Sequence, residues 1–191
     1  VNSKAHILNA IRRNKPVGAA LPEIPLFSQQ DKDVITLFWQ MVQTGSGQAI
    51  EWENEKLEDC IRQLFSTATI IASTTNLFTG NVDLNTIQTP IELENIDVAV
   101  IPAQLGVAEN GAVWVTERDC VHRVLPFITQ HLVIVLHKNT IVPTMHEAYH
   151  NIKVNETGFG VFIAGPSKTA DIEQSLVIGA QGARSLTIVL I

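Results

Sequence analysis

Several short apolar runs in this chain are continuous rather than alternating, and that constrains its fold more than any other feature. The runs are Thr69-Ile70-Ile71-Ala72, Val98-Ala99-Val100-Ile101, Val113-Trp114-Val115, Leu132-Val133-Ile134-Val135-Leu136, Val161-Phe162-Ile163 and Leu186-Thr187-Ile188-Val189-Leu190-Ile191. A strand with one wet face alternates apolar and polar residues. A strand apolar at every position must be covered on both faces, as in a parallel sheet between layers of helix. Helical stretches are predicted between some of the runs, at about 142–152 and 169–179. This βαβ rhythm predicts an α/β fold: a three-layer α/β/α sandwich with a mainly parallel sheet.

The first third of the chain is different. Residues 4–14 have the pattern of a short amphipathic helix. Residues 15–30 carry Pro16, Pro22 and Pro25, as an extended linker does. From Asp31 to Gln43, Val34, Leu37, Phe38, Met41 and Val42 recur at helical spacing, and Gly45-Ser46-Gly47 ends that helix. Asn54 is placed to cap a helix through Leu57, Ile61, Leu64 and Phe65. We divide the chain into an N-terminal helix and linker, 1–30, and one α/β domain, 31–191. At 191 residues, 46% of them hydrophobic, one domain has enough material for a core.

A formal charge of −6 argues against a nucleic-acid or anionic-membrane surface. No apolar run approaches the roughly 20 residues of a membrane-spanning helix. Val1 to His6 contain no signal-peptide apolar region, so a cytoplasmic location is expected. The two cysteines, Cys60 and Cys120, fit a reducing compartment and cannot hold a four-cysteine iron–sulfur cluster. No G-x-G-x-x-G follows a strand, so the sequence identifies no flavin or nicotinamide cofactor.

Four segments carry candidate chemistry. Gly165-Pro166-Ser167-Lys168-Thr169-Ala170-Asp171-Ile172-Glu173 follows the Val161 run. One interpretation is an anion or carboxylate cradle at a helix start, with backbone amides after Gly165, the Ser167 and Thr169 hydroxyls and the Lys168 charge. The other is ordinary capping by Ser167 or Thr169, with Asp171 and Glu173 complementing the dipole. Asp171 and Glu173 are two apart and cannot share a helical face. The turn Gly179-Ala180-Gln181-Gly182 is expected to return to the same rim at the carboxyl end of a strand–helix unit. Gln181 exchanges hydrogen bonds there but is neither acid nor base.

Gly106-Val107-Ala108-Glu109-Asn110-Gly111 predicts a hairpin with an Asn-Gly turn, which also places Glu109 and Asn110 at the mouth of the sheet. His146-Glu147-Ala148-Tyr149-His150 matches H-E-x-x-H, the pattern that places two zinc ligands one helical turn apart beside a general base. Its position on an expected crossover helix instead favours exposed, metal-free side chains. His6, His122, His131 and His137 are scattered without ligand spacing.

The Gly165–Glu173 motif, with its Gly-x-x-Gly turn and terminal apolar strand, resembles the LutC/YkgG-type lactate utilization proteins, which consist of a LUD domain. The resemblance extends to Ile7–Arg12, Ile96–Val100, Ala108–Gly111, Leu125-Pro126 and His131–Val135. The family usually has His-Gly-Pro where this chain has Gln181-Gly182-Ala183, and Thr where it has Asn110. The resemblance implies a NagB/RpiA/CoA-transferase-like arrangement. It also implies a part in oxidising L-lactate to pyruvate, beside an iron–sulfur LUD-domain protein and a cysteine-rich protein that would supply the redox groups. On this basis Glu109, Asp171 and Glu173 are the candidate catalytic residues; by analogy with the broader superfold, Glu109 is a nucleophile or base. Asn110, Gly165, Ser167, Lys168, Thr169, Gln181 and Gly182 are the candidate ligand-binding residues, with no metal. The alternative is a stand-alone enzyme or sensor for a small carboxylate, nucleotide or acyl-CoA-like ligand.

Overall fold

A computed structural model describes residues 3–16, 18–20, 22, 23, 25, 33–52, 56–153, 158–169 and 177–191. In chain order the elements are α1 (Ser3–Asn14), α2 (Val34–Thr44), β1 (Gln48–Glu51), α3 (Leu57–Leu64), β2 (Ile71–Ser73), β3 (Val98–Pro102), β4 (Leu105–Val107) and β5 (Ala112–Thr116). They continue with α4 (Glu117–Cys120), α5 (Leu125–Ile128), β6 (His131–Leu136), β7 (Ile141–Val142), α6 (Met145–Asn151), β8 (Gly160–Ile163), β9 (Lys168–Thr169), β10 (Val177–Ile178) and β11 (Ser185–Leu190).

The central sheet has five strands in the order β1-β11-β6-β3-β2, all parallel. Its continuous apolar runs divide by parity between two cores. Val98, Val100, Val133, Val135 and Val189 face α3 through Leu57 and Ile61. Ala99, Ile101, Leu132, Ile134, Leu136, Ile188 and Leu190 face the opposite layer, which includes Phe38 and Val42 of α2, Cys120 and Leu125. Covering both faces is what the unbroken Val/Ile runs require. Truncating a fully buried residue such as Ile134, at 0% exposure, is expected to cost about 2–5 kcal/mol.

Two of the six predicted strands leave the central sheet. Val113–Val115 and Val161–Ile163 belong to a second, mixed sheet ordered β7-β4-β5-β8. They are short and equally apolar because this small sheet packs through Val113 and Val115 on the main core. Apolarity reports burial, not which sheet a strand joins. β1 carries little apolar signal because it pairs at the sheet edge with β11.

Local chemistry sets the helix ends. Asp33 caps α2, its carboxylate accepting from Ile35 N at 3.1 Å and Thr36 Oγ1 at 2.6 Å. Gly45 closes α2 as expected. The N-cap of α3 is Lys56, without a side-chain cap, and the expected cap Asn54 lies outside the described residues. Among the described residues no helix is long and apolar enough to cross a membrane.

Candidate functional site

The residues of the C-terminal motif meet the end of α2. Gly165 has φ +75°, and a Cβ there would lie 2.1 Å from the carbonyl oxygen of Gly45, so only glycine fits. Lys168 Nζ donates to that same carbonyl. It brings a cation to the negative end of the helix dipole. Ser167 N donates to Ala183 O at 2.9 Å, and Gly179 N donates to Ser167 O at 2.9 Å. A Cβ on Gly182 would lie 3.1 Å from that of Ser167. The two Gly-containing turns therefore converge, one leaving the carboxyl end of β8 and the other entering the amino end of β11.

Together they border a cavity of about 400 Å³. Phe127, Leu132, Val161, Ile163 and Leu186 supply apolar wall, and Ser167, Lys168 and Gln181 supply polar groups. An apolar pocket with a few placed polar groups is the usual form of a small-molecule site.

The helix expected over 169–179 gives way at both described ends to a hairpin. Thr169 pairs with Val177 and Lys168 with Ile178, antiparallel. β-Branched Thr169, Val177 and Ile178 satisfy their backbone across strands, and this long-range pairing overrides a local helix signal. Ser167 is consequently not a helix cap. The amide cradle is also reduced: Pro166 has no N–H, and that of Ser167 is bonded to Ala183. The cavity lining instead includes the donor-bearing side chains of Ser167, Lys168, which also donates to Gly45 O, and Gln181. Asp171 and Glu173 lie outside the described residues.

Glu109 and Asn110 occupy the predicted turn between β4 and β5. Asn110 Oδ1 accepts from Ala112 N at 3.0 Å, and Gly111 has φ +67°. Glu109 Oε1 accepts from Met145 N at 2.7 Å, capping the start of α6. Neither Glu109 nor Asn110 lines the 400 Å³ cavity. The link between the two motifs is α2: a Cβ on Gly111 would meet Val42 N at 2.6 Å, one turn before Gly45.

The H-E-x-x-H residues lie on α6. His146 and His150 are exposed. Glu147 is engaged at the helix start, its N–H donating to Thr144 Oγ1 at 3.3 Å. Among the described residues no group of three His, Cys, Asp or Glu side chains is arranged to hold a metal.

One polar cluster escaped the sequence reading. In the parallel register Val98, His131 and Ser185 stand side by side at the amino ends of β3, β6 and β11. His131 Nδ1 lies 2.8 Å from Ser185 Oγ, and the Phe65 ring is 5.0 Å from the imidazole. With Asp97, Gln130 and Arg184 they border a cleft of about 360 Å³. Burial, and then the Arg184 charge, pull the His131 pKa down, and Asp97 opposes them. Asp97 is held below the usual carboxylate range by the backbone N–H groups of Ile70 and Thr69. The available signal was positional: each polar residue sits at or just before the first apolar residue of a strand run. Elsewhere, burial pushes the Cys120 thiol up to about 12, with Asp119 adding to the effect, so it is inert as a nucleophile at neutral pH.

Comparison with known proteins gives a consistent match. The family model described as LUD domain matches residues 28–191. Lactate utilization protein C of Anoxybacillus flavithermus is 32% identical over 99 residues, 51% of this chain and 45% of that protein. Lactate utilization protein C of a Geobacillus species is 30% identical over 123 residues, 58% of this chain and 51% of that protein. The chain thus spans about half the length of these relatives. Among solved structures, a DUF162 family protein from Deinococcus radiodurans superposes with a TM-score of 0.66 at 14% identity, over 82% of this chain and 95% of that one. That likeness carries the fold.

Proposed function

On the premise that this chain belongs to the LUD domain family, we propose that it is a subunit of a lactate utilization system that oxidises L-lactate to pyruvate. The observation that carries the proposal is the cavity where Ser167, Lys168 and Gln181 face an apolar wall. A hydroxy acid needs cationic and hydrogen-bonding groups for its carboxylate and an apolar surface for its methyl group. Lys168 and Ser167 serve the carboxylate, and Gln181 serves the 2-hydroxyl. Gly165 and Gly182 allow the close backbone approaches that form the rim.

Converting lactate to pyruvate removes two electrons and two protons. Two cysteines cannot hold a four-cysteine cluster. In this proposal the electrons pass to an iron–sulfur LUD-domain partner and a cysteine-rich partner. Asp171 and Glu173, which share the motif with Lys168, are the proposed proton acceptors. Glu109 and Asn110 act across the end of α2, and Thr169 supports the hairpin. The LUD domain is assigned to 31–191, preceded by a helix and linker, and the system is placed in the cytoplasm.

The size of the cavity favours a second reading. At about 400 Å³ it has room for more than a three-carbon acid, and that reading is a stand-alone enzyme or sensor binding another small carboxylate, a nucleotide or part of an acyl-CoA-like ligand.

Affinity purification of the tagged chain from its native source, followed by lactate-dependent dye reduction on the eluate, separates the two. Recovery of an iron–sulfur partner with lactate-dependent reduction supports the subunit. A chain recovered alone and inactive with lactate contradicts it and turns attention to the second reading.

A further inference from the structure

The helix α1 has no buried residue. Ile7, Leu8 and Ile11 are 57%, 41% and 60% exposed. An isolated helix of this length is marginal in water, because helical stability in proteins comes mostly from packing an apolar face. α1 also lies outside the family match, which begins at residue 28. Among the described residues it is therefore a helix outside that match whose apolar stripe stays exposed.

Its charge indicates what covers it. Before Glu23 the sequence carries Lys4, Arg12, Arg13 and Lys15 and no acidic residue. The formal charge of −6 thus divides into +4 before Glu23 and −10 from Glu23 onward. Between Arg62 and Arg118 there is no Lys or Arg, but six carboxylates, including Asp83, Glu92 and Glu94. Within that stretch Ile91, at 63%, is the most exposed large hydrophobic among the described residues. It projects from the short turn Pro90–Leu93, beside Glu92 and Glu94. A basic helix with an aliphatic stripe and an exposed isoleucine flanked by Glu92 and Glu94 are complementary in both charge and polarity.

We infer that α1 docks on a second copy of this chain, setting Ile7, Leu8 and Ile11 against Ile91, and Arg12 and Arg13 against the carboxylates around it. Two acidic bodies repel one another, and an exchanged basic helix offsets that repulsion at the contact. In a two-fold pair each copy gives α1 and receives one. This inference goes beyond the proposed lactate function and does not depend on it.

Light scattering and sedimentation of the full chain test it, from micromolar to near-millimolar concentration. The expected result is a species of twice the 21.0 kDa chain mass that dissociates as salt rises. Ile91→Asp, or Arg12→Glu with Arg13→Glu, should raise the dissociation constant at least tenfold with circular dichroism unchanged. Adding Glu94→Lys to the double Arg variant should restore part of the loss. A monomer at every concentration, or a dimer indifferent to these substitutions, overturns the inference.

Discussion

The ammonium of Lys168 donates a hydrogen bond to the carbonyl of Gly45, the residue that closes α2. This contact joins residues 123 positions apart and anchors the C-terminal motif to the first helix of the domain. Gly165 touches the same carbonyl, so one helix end organises the cavity rim from two sides.

Gly165→Ala tests that anchorage. It places a Cβ at φ +75° and 2.1 Å from Gly45 O. The expected loss is about 2 kcal/mol or more, from left-handed strain and the backbone clash together. Urea denaturation measures it as a lower midpoint at unchanged slope. A change under about 0.5 kcal/mol would mean the loop is free to move away from α2.

Glu109 has two candidate roles that substitution separates. As a cap on α6, Glu109→Ala should cost about 1 kcal/mol of stability, and Glu109→Gln, which keeps an acceptor oxygen for Met145 N, much less. If Glu109 also transfers a proton, Glu109→Gln should abolish turnover while the melting temperature stays near that of the wild type. Full turnover by the Gln variant restricts Glu109 to capping.

His131 should make stability depend on pH. Its folded pKa is lowered by burial and by Arg184, with Asp97 opposing. The unfolded chain, with an ordinary histidine pKa of about 6.5, therefore binds this proton more readily than the folded one. The contribution is fully present above that pH and is lost as pH falls through the folded value. Thermal melts between pH 8 and 5 should show a decline that is smaller in His131→Gln. An identical decline in the variant would assign the dependence to other groups.

The H-E-x-x-H match is expected to bind no stoichiometric zinc. Glu147 is part of the start of α6, and no third ligand joins His146 and His150 among the described residues. Elemental analysis of protein prepared without a histidine tag checks this, and close to one zinc per chain would contradict it.

Much of the architecture was legible because burial on both faces leaves a strong mark. Leu132–Leu136 and the terminal strand are apolar at nearly every position, and each divides its side chains between two cores. What remained hidden depends on pairing. Val161–Ile163 has the same composition as a central strand, yet its partner is β5. Lys168 and Thr169 have the local chemistry of a helix start, yet they pair with Val177 and Ile178. At the site, Gly165, Ser167, Lys168, Gln181 and Gly182 were legible as a group because glycine-bearing turns and polar side chains cluster in one stretch. The His131–Ser185 pair was not, because its members are 54 residues apart and meet only through strand register.

The most direct test of the lactate assignment is lactate-dependent dye reduction by the affinity-purified assembly containing Lys168→Ala, compared with wild type. Loss of a charge-assisted contact worth roughly 1–3 kcal/mol should lower kcat/KM for lactate about 5- to 150-fold, with the partner proteins still recovered. Undiminished kcat/KM from an intact assembly would contradict the assignment of this cavity as the lactate site.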